Sequence, residues 1–76
     1  MTQVAFIKAY MGELKARYAW TSDPVKFARF MESVTLTLRA GGNTWLPEGE
    51  AVNAAWKAIG GKGKPSLKAL RALPLD

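Results

Sequence analysis

The chain has no cysteine and no histidine among its 76 residues. Disulfide bonds are therefore excluded, as is a zinc site built from the usual cysteine and histidine ligands. The missing histidine also removes the commonest general base of enzymes. No stretch approaches the roughly 20 apolar residues of a membrane span, and the N-terminus lacks the apolar run of a signal peptide. We expect one non-enzymatic domain over residues 1–76, cytoplasmic, with no membrane partner, metal or cofactor.

Acidic residues are also scarce, and their distribution is uneven. Residues 1–56 contain six basic and five acidic residues, whereas residues 57–76 contain five basic residues and one acidic residue. Most of the net charge of +5 therefore lies near the C-terminus. Localised positive charge attracts polyanions such as nucleic acid. The alternative interpretation is a solvated lysine surface that only keeps a small protein soluble.

Helix signals cover the first half of the chain. Thr2 can cap a helix that runs to about Ala19, and Asp23-Pro24 can start a second helix that runs to about Ala40. Apolar residues at helical spacing predict the buried face of each helix. The predicted faces are Val4, Ile7, Met11, Leu14 and Tyr18, widened by Phe6 and Tyr10, and then Phe27, Phe30, Met31, Val34 and Leu38.

One segment of the predicted second helix also fits a strand. Residues 34–38 alternate with period two and include three β-branched side chains. With a turn at 40–43 and a partner strand at 44–46, they would form a β-hairpin. The periodicity from Phe27 to Leu38 and the capping residues favour a helix instead. The expected fold class is all-α, and an α+β fold with a hairpin near 34–46 is the alternative.

The last third of the chain predicts two short helices. The first covers Glu50 to Ile59 and ends at Gly60-Gly61, since glycine accepts the left-handed conformation of a helix C-cap. The second starts at Pro65 or Ser66 and runs to about Leu73. We expect the two residues after Pro74 to be frayed.

The last two predicted helices match a helix-turn-helix in outline, with a second helix that would enter the major groove of double-stranded DNA. Lysine and arginine neutralise phosphates, arginine pairs with guanine, and serine bonds to phosphate or base. The predicted nucleic-acid-binding residues are Lys57, Lys62, Lys64, Ser66, Lys68 and Arg71. In composition, the small lysine-rich helical chain resembles accessory or regulatory proteins of bacteria and their phages.

A second hypothesis belongs to another functional class. Trp20 and Trp45 lie at or near predicted connectors, where they could close the ends of the helical bundle or be anchors for another protein. The chain would then be a non-enzymatic adaptor or inhibitor, and a homodimer is a related possibility. Nucleotide hydrolysis is rejected because Gly63-Lys64 is followed by Pro65 and preceded by a helical segment, unlike a phosphate-binding loop.

Overall fold

The computed structural model describes residues 1–40 and 46–76, although the side chain of Ala40 is not described. These residues form four α-helices: α1 (Gln3–Arg17), α2 (Pro24–Ala40), α3 (Gly49–Ala58) and α4 (Leu67–Ala72). A short 3-10 helix, Ala19–Ser22, links α1 to α2. The prediction of a small all-α domain is confirmed.

The predicted caps explain where α1 and α2 begin. The Thr2 hydroxyl accepts a hydrogen bond from the Ala5 N–H at 3.0 Å, and the Asp23 carboxylate accepts from the N–H groups of Val25 and Lys26. These bonds satisfy N–H groups that have no partner inside the helix. At the other end of α1, Tyr18 is extended, so the helix stops at Arg17 and not at Ala19.

The strand alternative fails for residues 34–38, because all of them belong to α2. Threonine hydroxyls within α2 bond back to the helix: Thr35 Oγ1 donates to the Met31 carbonyl and Thr37 Oγ1 donates to the Ser33 carbonyl, both at 2.9 Å. Such bonds let threonine satisfy its hydroxyl within a helix. The proposed turn and most of the proposed partner strand, residues 41–45, lie outside the described residues.

The core forms where α1 packs on α3 and α2 packs on α4. Phe6, Tyr10 and Leu14 contribute the buried face of α1, and the Tyr10 ring connects α1 to α2. Tyr10 lies 5.8 Å from the Phe6 ring and 6.3 Å from the Phe30 ring of α2, measured between centroids. The buried apolar side chains are Phe6, Tyr10, Leu14, Val34, Leu38, Leu46, Ala51, Val52, Ala55, Trp56 and Leu70.

The predicted core face of α1 is correct only in part: Leu14 is buried as predicted, and the core is centred on Phe6 and Tyr10, which were expected only to widen that face. Val4 is 41% exposed, and Ile7 is only half-buried, whereas Phe6 and Tyr10 have no exposed surface. Phenylalanine and tyrosine have larger apolar areas to bury than valine, which favours turning them inward. The Tyr10 hydroxyl also has an acceptor, because it donates to the Pro47 carbonyl at 2.6 Å.

The two ends of the described chain are joined. The N–H groups of Gln3 and Val4 donate to the carbonyls of Pro74 and Leu75 at 2.8 and 2.9 Å. The C-terminal residues thus satisfy part of the free N-terminus of α1. The expectation that the residues after Pro74 are frayed was wrong, since Leu75 takes part in this pairing.

Candidate nucleic-acid interface

Four exposed lysines surround the connection between α3 and α4. Lys57 is in the last turn of α3, Lys62 and Lys64 follow in the connecting segment, and Lys68 is in α4. We call these four residues the lysine cluster. None of them forms an ion pair with any residue that the structure describes. Their charges are therefore available to an external anion.

The backbone under the lysine cluster is fixed by hydrogen bonds. The Gly60 N–H donates to the Lys57 carbonyl and the Gly61 N–H donates to the Trp56 carbonyl, at 3.0 and 2.9 Å. This pair of bonds is the Schellman arrangement, and Gly60 has the positive φ of 93° that it requires. The predicted glycine stop of the helix is confirmed, although α3 ends at Ala58 and not at Ile59.

The buried indole of Trp56 holds the next part of this segment. Its Nε1 donates to the Lys62 carbonyl at 3.3 Å. Gly61 lies against the face of the ring, so closely that a Cβ there would be 2.2 Å from Trp56 Cε2. Only a residue without a side chain allows this contact, so the run of glycine and lysine follows a path that the core sets.

Two of the predicted DNA contacts have structural partners. The Ser66 hydroxyl caps α4, since it accepts from the Ala69 N–H at 3.1 Å. The Arg71 guanidinium donates to the carbonyls of Thr37 and Leu38 at 2.8 and 3.2 Å, near the C-terminal end of α2. Both side chains therefore stabilise helix ends. That they also contact DNA stays a prediction.

The relative packing of α3 and α4 differs from that of a helix-turn-helix pair. Residues 59–66 separate the two helices, whereas the usual turn has about three or four residues. Moreover, α3 packs mainly on α1 and α4 packs on α2, so the two are not each other's main partners. The order of helices is as predicted, but α4 is a short helix held by the core through Leu70.

Acidic side chains at the opposite end of α3 raise the pKa of two tyrosines of the chain. The Glu48 carboxylate interacts with the Tyr18 hydroxyl and raises the pKa of Tyr18. Burial raises the pKa of Tyr10, and the negative charge of Glu48 raises it further. The negative charge of Glu50, in the first turn of α3, raises the pKa of Tyr18 further. Helix α3 thus separates an acidic first turn from the lysine cluster at its last turn.

A hollow beside the lysine cluster adds a residue that the sequence analysis missed. The residues that line it are Asn53, Trp56, Lys57, Gly61, Gly63, Lys64 and Pro65. Its volume is about 340 Å³ and it is open to solvent. Asn53 is exposed one turn before Lys57, and this i, i+4 spacing was the sequence signal that could have identified it.

The predicted protein interface is described only in part, because Trp45 lies outside the described residues. Trp20 is half-buried, and its ring packs on Phe30 with 4.8 Å between centroids and on Phe27 with 6.3 Å. It also borders an open hollow with Lys26 and Phe30. Trp20 thus closes one end of the aromatic core and keeps part of its ring accessible.

Two searches of the described residues, for metal-binding clusters and for membrane-spanning helices, and three comparisons with known proteins gave no match. Among residues 1–40 and 46–76, no cluster of three acidic side chains could hold a metal ion, and no helix is long and apolar enough to cross a bilayer. No protein-family model, no curated protein and no solved structure matches the chain.

Proposed function

We propose that this protein binds nucleic acid, with double-stranded DNA as the principal candidate, through the lysine cluster. The observation that supports this proposal is the unpaired charge of Lys57, Lys62, Lys64 and Lys68, all exposed around one connection whose backbone is held by Trp56. Release of counterions from the phosphate backbone would drive the binding. A cytoplasmic location and a regulatory or accessory role are part of the same proposal.

The proposed binding does not depend on base sequence. Lysine is a point charge on a flexible stem and suits phosphate contacts, which position a protein but do not read bases. The two candidates for base contacts, Ser66 and Arg71, already bond to helix ends. We therefore expect two duplexes of equal length and unrelated sequence to bind with affinities that differ by less than about threefold.

The test measures the affinity for a labelled duplex at about 50 and 200 mM salt. Four neutralised phosphates predict a logarithmic salt slope of about −3.6, which corresponds to a loss on the order of 10²-fold between these concentrations. Replacing Lys64 and Lys68 by alanine should reduce the slope to about −1.8, because each lost phosphate contact removes about 0.9.

The matched control removes two exposed charges elsewhere. Lys8→Ala with Arg29→Ala changes the net charge equally but alters exposed residues of α1 and α2 instead of the lysine cluster. This variant should keep most of the affinity and the slope of the original protein. Equal losses in both double variants would mean that attraction is spread over the whole surface, and no binding at 50 mM salt would refute the proposal.

A protein-binding role is the second candidate, and the accessible part of Trp20 supports it. The hollow at Trp20 has an aromatic floor and is bordered by the opposite charges of Lys26 and Glu48. Such a site fits an adaptor or inhibitor, or a contact between two copies of the chain. If this role is correct, Trp20→Ala weakens binding to the protein partner, and added salt changes that binding little. DNA binding should show the reverse, with a strong dependence on salt and little effect of Trp20→Ala.

A further inference from the structure

The hollow between α3 and the connecting segment has the chemistry of an anion site. Lys57 borders it on the α3 side, and Lys64 borders it on the other. The Asn53 amide adds a neutral donor, and no carboxylate is among the lining residues. Two lysines across one hollow can neutralise a phosphate together, whereas a lysine alone on a surface gains little from one contact.

Backbone donors are also available at this position. The N–H groups of Lys62, Gly63 and Lys64 donate to no acceptor among the residues that the structure describes. Gly63 has a φ of 69°, in the left-handed region, and lines the hollow. Successive N–H groups around a left-handed residue can form a concave anion-binding nest.

The partial negative charge at the end of α3 would oppose the binding of an anion in the hollow, but hydrogen bonds in the structure reduce this charge. The hollow is near the C-terminal end of α3, where the unbonded carbonyls of a helix carry partial negative charge. In this helix the carbonyls of Ala55, Trp56 and Lys57 already accept from the N–H groups of residues 59–61. Less negative charge is therefore left to repel a bound anion, and Lys57 is itself in that last turn.

Contacts with the core hold the wall of the hollow in place. Trp56 is 8% exposed, and its bond to the Lys62 carbonyl ties the connecting segment to the core. The contact of Gly61 with the indole face fixes the same wall. A site that needs no ordering of its backbone loses less entropy when it binds.

We infer that this hollow binds one phosphate group, with Lys57 and Lys64 as the charged ligands and Asn53 and the backbone N–H groups of residues 62–64 as neutral donors. The inference rests on the proposed function, because it makes this hollow the point where the nucleic-acid backbone docks. An internal phosphodiester and a free phosphate offer the same oxygen acceptors, and the experiment separates these two sources.

The test is a nuclear magnetic resonance titration of the backbone amides, first with inorganic phosphate at constant ionic strength and then with a duplex that has no terminal phosphate. Saturable shifts at residues 62–64 and at the Asn53 side chain are expected with both ligands. The Lys57→Ala, Lys64→Ala double variant should lose the saturable phosphate shifts. The Lys62→Ala, Lys68→Ala variant, with the same net charge, should keep them.

The possible results separate this inference from the proposed function. If the duplex binds but phosphate causes no saturable shift around the hollow, the docking point is elsewhere and the inference fails alone. If phosphate binds but the duplex does not, the hollow is a site for free phosphate and the proposed function fails. Equal loss of phosphate binding in both double variants would also overturn the inference, because it would show a diffuse charge effect. Thermal unfolding of each variant verifies that the fold is kept.

Discussion

Replacing Gly61 by alanine tests the contact that shapes the connecting segment. The added Cβ would lie 2.2 Å from Cε2 and 2.4 Å from Cδ2 of Trp56, far inside van der Waals contact. The indole is a rigid buried ring, so either the segment or the core must move. Overpacking of this kind costs about 1–3 kcal/mol. Loss of the bond from Trp56 to the Lys62 carbonyl costs a further ~1 kcal/mol.

We therefore expect Gly61→Ala to lower the free energy of unfolding by about 2–4 kcal/mol. For a domain of this size, each kcal/mol corresponds to about 4–8 °C in Tm, so Tm should fall by roughly 8–30 °C. Urea unfolding followed by far-UV circular dichroism gives the free energy without using tryptophan fluorescence, which the substitution itself would alter.

Two controls make this measurement decisive. Gly60→Ala meets no atom within 4 Å and should cost only the strain of a left-handed alanine, about 1–2 kcal/mol. In a Trp56→Leu background the ring atoms are gone, so Gly61→Ala should cost less than about 1 kcal/mol. A Gly61→Ala cost no larger than that of Gly60→Ala, or one unchanged by Trp56→Leu, would refute the reasoning.

The roles of Arg71, Gly12 and Tyr10 can be tested in the same way. Arg71→Ala should lower the free energy of unfolding by about 2–3 kcal/mol, because α2 loses two charged hydrogen bonds. Arg71→Lys should recover little of this stability, since an ammonium cannot reach both carbonyls as a guanidinium does. If Arg71→Lys unfolds like the original protein in urea, the guanidinium bonds are not important. Gly12→Ala adds a Cβ in open space within α1 and should raise the free energy of unfolding by about 0.5–1 kcal/mol. Urea unfolding measures this change, and a lower free energy of unfolding would contradict the prediction. Tyr10→Phe removes the bond to the Pro47 carbonyl and should cost about 1 kcal/mol at neutral pH. Burial raises the pKa of folded Tyr10, so its contribution is complete below the unfolded pKa of about 10 and is lost as the pH rises towards the folded value. The stability difference between the original protein and Tyr10→Phe should accordingly narrow above pH 10, and a constant difference would show that Tyr10 titrates alike in both states.

Local signals were enough to predict the helices and several of their ends. Thr2 and Asp23 cap the helices as predicted, and Gly60 ends α3 in the left-handed conformation. Each of these features depends on residues within about one helical turn, which is why sequence reasoning reached them. The threonines of α2 were ambiguous from propensity alone, and the bonds of Thr35 and Thr37 to the preceding turn show how the helix accommodates them.

The choice among overlapping helix faces could not be made locally. Helix α1 has one apolar stripe through Val4 and Ile7 and another through Phe6 and Tyr10, and both repeat with helical spacing. The observed core uses the second stripe, since it meets α3 and the Phe30 ring of α2. That selection depends on partners at least 20 residues away in the chain.

The sequence by itself determined the helical class, the positions of the caps and the concentration of positive charge after Trp56. Spacing, capping chemistry and charge are properties of neighbouring residues, so they can be read without a fold. Only the tertiary structure decided what each basic residue is free to do. It brings Arg71 to the last carbonyls of α2, which are more than 30 residues earlier, and leaves four lysines exposed. The tertiary structure also places Lys57 and Lys64 at one hollow, because Trp56 holds the intervening glycines against the core.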